Sequence, residues 1–236
     1  MLHISLAADK IIKIGNVYLT NTVLATWATM AVLIVFAWLS SYYLKKGKYN
    51  FLVTLSKIIV KSFFNFINSI LEEEKLSWQV LPLVSTLFIY ITTANWLALV
   101  PGFIGSFVIH TKERTISIFR SINADLNTTF AMAITSIILI KLLTWKFKEA
   151  KNYLRVGVNK VFRVIIIFFE DLSEFTRVLS LSFRLSGNVF SGEVLMLVLA
   201  FLTPFFIPIP FMFLEFFIGL FQALVFSVLV LIFVKW

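Results

Sequence analysis

Long apolar stretches separated by short polar segments are the feature that most limits the fold of this chain. A helix that spans a bilayer needs about 20 mostly apolar residues, because the hydrocarbon core is roughly 30 Å thick. Stretches at 17–44, 80–100 and 126–145 meet that requirement, and two more lie in the C-terminal third of the chain. The pattern therefore predicts an all-α membrane protein with about five transmembrane helices.

The composition favours a single membrane domain over residues 1–236. Hydrophobic residues make up 60% of the chain and charged residues only 14%, which is more apolar than soluble domains are. We expect an N-terminal part at 1–79, a central helical hairpin at 80–160 and a C-terminal hairpin at 161–236. No soluble domain is expected beside them.

The segment 51–71 differs from the predicted spans. Polar residues alternate with apolar ones along it, and they are Lys57, Lys61, Asn65 and Asn68. A helix with one polar and one apolar face is typical of the membrane interface. We therefore expect this segment to lie at the interface and not to cross.

The net charge of +9 could suggest a nucleic-acid partner, but the positions of the charges argue against one. The basic residues gather after the first and third predicted spans, at Lys45, Lys46, Lys48, Lys57 and Lys61 and at Lys146, Lys148, Lys151, Arg155, Lys160 and Arg163. This is the positive-inside pattern, which places the N-terminus outside and the C-terminus inside. The expected partner is a lipid bilayer and not a nucleic acid.

The C-terminal third predicts an unusually long helical hairpin. No proline interrupts 161–202, so one helix could extend about 60 Å at ~1.5 Å per residue. That is twice the length of a perpendicular crossing, so the helix must tilt strongly, bend or begin well outside the bilayer. Three prolines then break the chain before a last helix at 211–234; they are Pro204, Pro208 and Pro210.

Arg184 lies deep within the first helix of this hairpin, with apolar sequence on both sides. An arginine at the centre of the bilayer costs about 2.5 to 3.5 kcal/mol on insertion scales, so it should face protein or water. One alternative is that Arg184 snorkels or pairs with a neighbour for structure alone. The other polar groups of the hairpin favour a functional role.

Helical spacing sorts those polar groups by face. At about 100° per residue, one stripe of the first helix holds Arg177, Ser180, Arg184, Asn188 and Ser191. Glu193 points to the opposite side of that helix. On the last helix, one face holds Glu215, Gly219, Gln222 and Phe226.

The acidic residues and the arginine of the hairpin are expected at different depths in the bilayer. Glu193 and Glu215 lie nearer the outer turn, and Arg184 and Gln222 lie deeper. A carboxyl group in apolar surroundings can bind and release protons near neutral pH, whereas arginine stays protonated. The arrangement predicts that protons enter along the two glutamates and are stopped by Arg184.

A second, inward vestibule is expected near the start of the long helix, at Glu170, Asp171, Ser173 and Glu174. The alternative is that these acids are simply solvated and favoured by the helix dipole.

Elsewhere, Asp125 is expected to cap the helix that follows it, and Asn95 to bond between helices. The chain has no cysteine, and we expect neither a metal site nor a cofactor.

The block Ser-Leu-Ser-Phe-Arg-Leu-Ser-Gly-Asn-Val-Phe-Ser-Gly-Glu at 180–193 resembles the run around the essential arginine of subunit a of the F-type ATP synthase. Segments 81–102 and 124–129 resemble the second span of that family and the start of its next helix. Glu215 and Gln222 stand where the family keeps a histidine or glutamate and then a glutamine. Two departures are Ser186 in place of a phenylalanine and Ile122 in place of a proline.

The resemblance implies a proton-translocating stator subunit of the membrane sector. Arg184 would face a rotating ring of c subunits and separate two offset half-channels, with Asn188 beside it. Peripheral-stalk subunits of the b type would be further partners. The implied location is the plasma (inner) membrane of a bacterium, with the mitochondrial inner membrane as the alternative.

Two other classes of protein fit less well. A self-contained secondary transporter would need an internal repeat or broken helices in both halves, and neither is evident. An intramembrane enzyme would need paired metal ligands or a nucleophile with its base. No Gly-rich phosphate loop is present, so nucleotide chemistry is expected on other subunits and not on this chain.

Overall fold

The computed structural model describes residues 10–14, 17–47, 50–100, 108–110, 115–117, 120–145, 160–203 and 206–235. Six α-helices dominate this part of the chain: α1 (Asn21–Lys45), α2 (Phe51–Leu71), α3 (Glu74–Leu99), α4 (Leu126–Trp145), α5 (Lys160–Leu202) and α6 (Pro208–Lys235). Two short antiparallel hairpins join β1 (Lys10–Ile14) to β2 (Val17–Thr20) and β3 (Val108–His110) to β4 (Thr115–Ser117). A 3-10 turn at Ile122–Ala124 precedes α4.

All six helices are long and apolar enough to cross a membrane. The prediction of an all-α membrane protein is therefore confirmed, with the two small hairpins as the only strands in the described ranges. Helix α4 begins and ends where hydropathy placed it. The first predicted span begins later than expected, because Val17–Thr20 pairs as β2 with β1 before α1 begins.

Helix α2 has the amphipathic character that the sequence predicts. Val53 and Ile67 are buried against the bundle, whereas Lys57 and Lys61 are exposed. This division is typical of an interfacial helix. Its placement at the interface stays a prediction, because the length and composition of α2 also permit a crossing.

The apolar core joins five of the helices. One cluster of buried side chains contains Ile67 of α2, Val84 of α3, Ile140 of α4, Leu185 of α5 and Val230 of α6. In lipid, close packing and interhelical hydrogen bonds hold helices together, because the tails are as apolar as the side chains. The cluster therefore sets the positions of α5 and α6, on which the candidate site lies.

Asn95 links α3 to α6 and to the 3-10 turn. Its Nδ2 donates to the carbonyl oxygen of Gly219 at 3.1 Å, and its Oδ1 accepts from Asn123 Nδ2 at 2.7 Å. One residue later, Trp96 stacks on Phe216 with ring centroids 4.3 Å apart. Asn95 thus bonds between helices, as the sequence predicts, and α6 can approach α3 closely because position 219 has no side chain.

Asp125 caps α4. Its Oδ1 accepts from the backbone N–H of Asn127 at 3.1 Å, which satisfies one of the free donors at a helix start. Its Oδ2 accepts from Thr22 Oγ1 of α1 at 3.3 Å. The cap therefore also ties the beginning of α1 to the beginning of α4.

The long C-terminal hairpin is present. Helix α5 has 43 residues and is therefore about 65 Å long at ~1.5 Å per residue. Helix α6 has 28 residues and runs back along α5. This length lets α5 present polar groups at several depths of the bilayer.

We predict that Gly219→Val destabilises the fold. A Cβ at position 219 would lie 3.0 Å from the Asn95 Cβ, so a branched side chain must push α6 away from α3. Overpacking of this kind costs about 1 to 3 kcal/mol. The thermal midpoint of the full chain in detergent should fall, whereas Gly187→Val, at a position with no neighbour within 4 Å, should leave it nearly unchanged. Equal thermal midpoints for the two variants would contradict the close approach of position 219 to Asn95.

Candidate functional site

Helix α5 has one face packed and one face open. The packed face holds Leu181, Ser182, Leu185 and Ser186, all of which are buried. The open face holds Ser180, Arg184, Asn188 and Ser191, all of which are exposed. Arg177, lower on the predicted stripe, is half-buried, with its guanidinium 5.3 Å from the ring centroid of Phe233. The polar stripe therefore lies on the surface of the chain and not in its core.

Arg184 has no partner within the described part of the chain. No ion pair or hydrogen bond joins its guanidinium to another described residue. The side chain next to it, Phe183, is 55% exposed, and the same open face carries the uncharged polar groups of Ser180 and Asn188. A permanent cation on an exposed face of a membrane helix needs water or an anion from elsewhere.

Asn188 and Gln222 bridge the two helices of the hairpin. Asn188 Nδ2 donates to Gln222 Oε1 at 2.9 Å. Gln222 is only 8% exposed whereas Asn188 is exposed, so the bond is partly shielded from solvent. Asn188 lies one turn from Arg184 on the same face, about 6 Å along the axis. The structure thus brings together two of the predicted site residues, Asn188 and Gln222, one turn from Arg184.

Glu215 packs directly on Gly192 of α5. An ideal Cβ built at position 192 would overlap the carboxyl group of Glu215, so any larger residue there would force the end of that side chain to move. A groove of about 340 Å³ opens here between α5 and α6. Its lining includes Asn188, Ser191, Gly192, Leu195, Leu214 and Glu215. The groove therefore connects the acid of α6 with the polar stripe of Arg184.

Glu193 faces a different neighbour. Its Oε1 accepts from the backbone N–H of Ser121 at 3.1 Å, and its Oε2 lies 3.7 Å from Arg120 Nε. Both partners belong to the segment just before α4, on the side of α5 away from Arg184. This is the side that the helical spacing predicts for Glu193.

Arg120 and Ser121 were not predicted from the sequence. The only local signal is a basic residue five positions before the cap Asp125, and many loops carry such a residue. Beside this pair, Ser121 Oγ and Asn123 Oδ1 are buried and have no hydrogen-bond partner among the residues described. Buried polar atoms of this kind are usually satisfied by water.

Of the four residues predicted to line the inward vestibule, the structure describes the side chains of Ser173 and Glu174. Glu174 forms an ion pair with Lys141 of α4, and Ser173 is half-buried. The side chains of Glu170 and Asp171 lie outside the described residues. Glu174 therefore has a structural partner, which favours the alternative reading for that residue, and the inward vestibule stays a prediction.

The structure does not bring Arg184 and the outer acids together. Arg184 and Gly192 are eight residues apart on one helix, which corresponds to about 12 Å along the axis. Asn188 and Gln222 lie between the two levels. Within the described ranges, no group of three or more His, Cys, Asp or Glu side chains is placed to hold a metal ion.

Comparison with known proteins gives a consistent result. The family model for the ATP synthase A chain matches residues 23–235. The chain is 31% identical to ATP synthase subunit a of Moorella thermoacetica, over 95% of this chain and 94% of the relative. It is 32% identical to ATP synthase subunit a of Syntrophobacter fumaroxidans, over 91% of this chain and 83% of that relative. A match of 29% to ATP synthase subunit a 2 of a Picosynechococcus strain covers 92% and 85%.

We predict that the double substitution Gly192→Cys with Glu215→Cys forms a disulfide under mild oxidation. The Glu215 carboxyl carbon lies 2.6 Å from an ideal Cβ at position 192, so side chains at these two positions meet in the groove, where two cysteines can adopt disulfide geometry. Because the natural chain has no cysteine, loss of reactive thiols reports on this pair alone. The control pair Gly187→Cys with Glu215→Cys should keep both thiols, since a Cβ at 187 has no neighbour within 4 Å. Free thiols in the first pair would contradict the packing of Glu215.

Proposed function

The chain belongs to the ATP synthase A chain family and is a multi-pass subunit of the ATP synthase membrane sector, and on that premise we propose that it is the proton-conducting stator of that sector. In this role it conducts protons to and from a rotating ring of c subunits. The ion flow turns the ring, and nucleotide chemistry takes place on other subunits.

The observation that carries the proposal is the position of Arg184. The guanidinium lies on the open face of α5 and has no anionic partner among the described residues. A charge of this kind in the bilayer is costly unless an anion or water faces it. A carboxylate carried past by a neighbouring subunit supplies that anion, because the open face of α5 is accessible to another helix.

The chemistry follows from the charge of Arg184. A ring carboxylate can face lipid only in its neutral form, because an isolated charge in hydrocarbon is costly. When the carboxylate reaches Arg184, the cation favours the ionised form and the proton leaves. Arginine stays protonated and cannot pass the proton on. Arg184 therefore separates two access routes and prevents a direct leak.

The outer route runs through the groove between α5 and α6. Glu215 lies in its lining, and the Asn188–Gln222 bridge lies between Glu215 and the level of Arg184. Glu193 adds a second carboxyl group on the side of the Arg120 loop. The inner route begins near the start of α5, where Glu170, Asp171, Ser173 and Glu174 are the candidate lining residues.

The remaining assignments rest on the family. The proposed partners are the c-ring and the b-type subunits of the peripheral stalk, in addition to the lipid bilayer. The proposed location is the plasma membrane of a bacterium, since the relatives of Moorella, Syntrophobacter and Picosynechococcus named above are bacterial. The transported ion is proposed to be the proton.

We predict that Arg184→Ala abolishes ATP-driven proton pumping by the assembled complex in proteoliposomes. Without the cation, the ring carboxylate is no longer held in its charged form beside the stator. Lys61→Ala, which removes an exposed basic residue of α2, serves as the control and should pump normally. Normal pumping by the assembled Arg184→Ala complex would overturn the mechanism. An independently active chain without a ring would instead support a secondary transporter.

We predict a milder loss for the outer acids. Glu193→Gln or Glu215→Gln should slow proton pumping, because each removes one group that can carry a proton, while water in the same route can still conduct. The double variant should be slower than either single one. An unchanged rate in the double variant would remove both residues from the path. A requirement for sodium ions in the same assay would contradict the proton assignment.

A further inference from the structure

We infer that Arg120 is a positioning residue of the outer route, which holds the carboxyl group of Glu193 against the segment 120–125. This inference rests on the proposed function, because it assigns a role within the proton entrance. It concerns a residue outside the hairpin that contains the arginine block.

Both oxygens of Glu193 are occupied by that segment. Oε1 accepts from the N–H of Ser121 at 3.1 Å, and Oε2 lies 3.7 Å from Arg120 Nε. The side chains of Arg120 and Glu193 are only 12% and 17% exposed. Because solvent screens the pair little, the attraction is larger than that of a surface ion pair. Arg120 and Ser121 together therefore select one orientation of the Glu193 side chain.

With this orientation, Glu193 and Glu215 lie in different places along the outer route. The charged groups near Glu193 among the described residues are Arg120, on the loop side, and Glu215, on the α6 side. Like charges repel, so Glu193 and Glu215 gain from being turned apart. Arg120 and the backbone N–H of Ser121 hold the Glu193 carboxyl group at the loop. Glu215 stays in the groove that leads to Asn188.

The consequence is a two-step entrance. Glu193 stands at the loop, where protons arrive, and Glu215 stands in the groove beside the Arg184 stripe. Loss of Arg120 frees Glu193 to leave the loop, so the first step slows although Glu193 itself is still present. If Arg120 only stabilised the fold, the effect of removing its charge would not depend on the presence of the Glu193 carboxylate.

The test measures ATP-driven proton pumping by assembled complexes in proteoliposomes. Arg120→Gln should slow pumping by about five-fold, a size typical of coupled neighbours. Arg120→Lys should restore most of the rate, because a lysine keeps the charge. In a Glu193→Gln background, Arg120→Gln should cause less than about a two-fold further loss. Lys61→Gln, which removes an exposed charge on α2, is the matched control and should pump normally.

Three results would overturn the inference. One is equal slowing by Arg120→Gln in both backgrounds, and another is no rescue by Arg120→Lys. The third is failure of the Arg120→Gln complex to assemble while Glu193→Gln assembles, since Arg120 would then act independently of Glu193. Arg184→Ala in the same assay keeps the two proposals apart: if it stops pumping while Arg120→Gln has no effect, only the role of Arg120 fails.

Discussion

A permanent positive charge inside a bilayer must face an anion or water, and the arrangement of this chain is organised around that constraint. Arg184 meets it in an unusual way, because the described part of the chain offers it no carboxylate. The acids of the hairpin lie about two turns away or on the other side of α5. Among the described residues the charge is therefore left unpaired on an open helix face, where the proposed function places a carboxylate of a ring subunit.

The fold keeps that charge available by packing the opposite face of α5. Leu181 and Leu185 are buried in the core, and Ser182 bonds within its own helix and to the backbone of Thr129. Asn95 and the glycine at 219 bring α6 against α3, so α6 is held from behind. With both helices fixed by the bundle, the groove between them and the Arg184 stripe can stay open toward a partner.

Much of this arrangement could be predicted from the sequence, because it depends on length and periodicity. The shared stripe of Arg184 and Asn188 and the opposite placement of Glu193 follow from helical geometry, and the long helix α5 follows from an apolar run without proline. The pairing of Asn188 with Gln222 also agrees with an antiparallel hairpin. The contacts of Arg120 with Glu193 and of Glu215 with Gly192 could not be predicted, because they depend on how a loop and a second helix dock on α5. Periodicity within one helix carries no information about that docking.

The most direct measurement is the structure of the assembled membrane sector, in which the distance from the Arg184 guanidinium to the nearest carboxylate can be read. The account predicts that this carboxylate belongs to a ring subunit and stands opposite the open face of α5, with the groove of Glu215 leading to it. An Arg184 that faces lipid, or that is paired with a carboxylate of its own chain, would contradict the account.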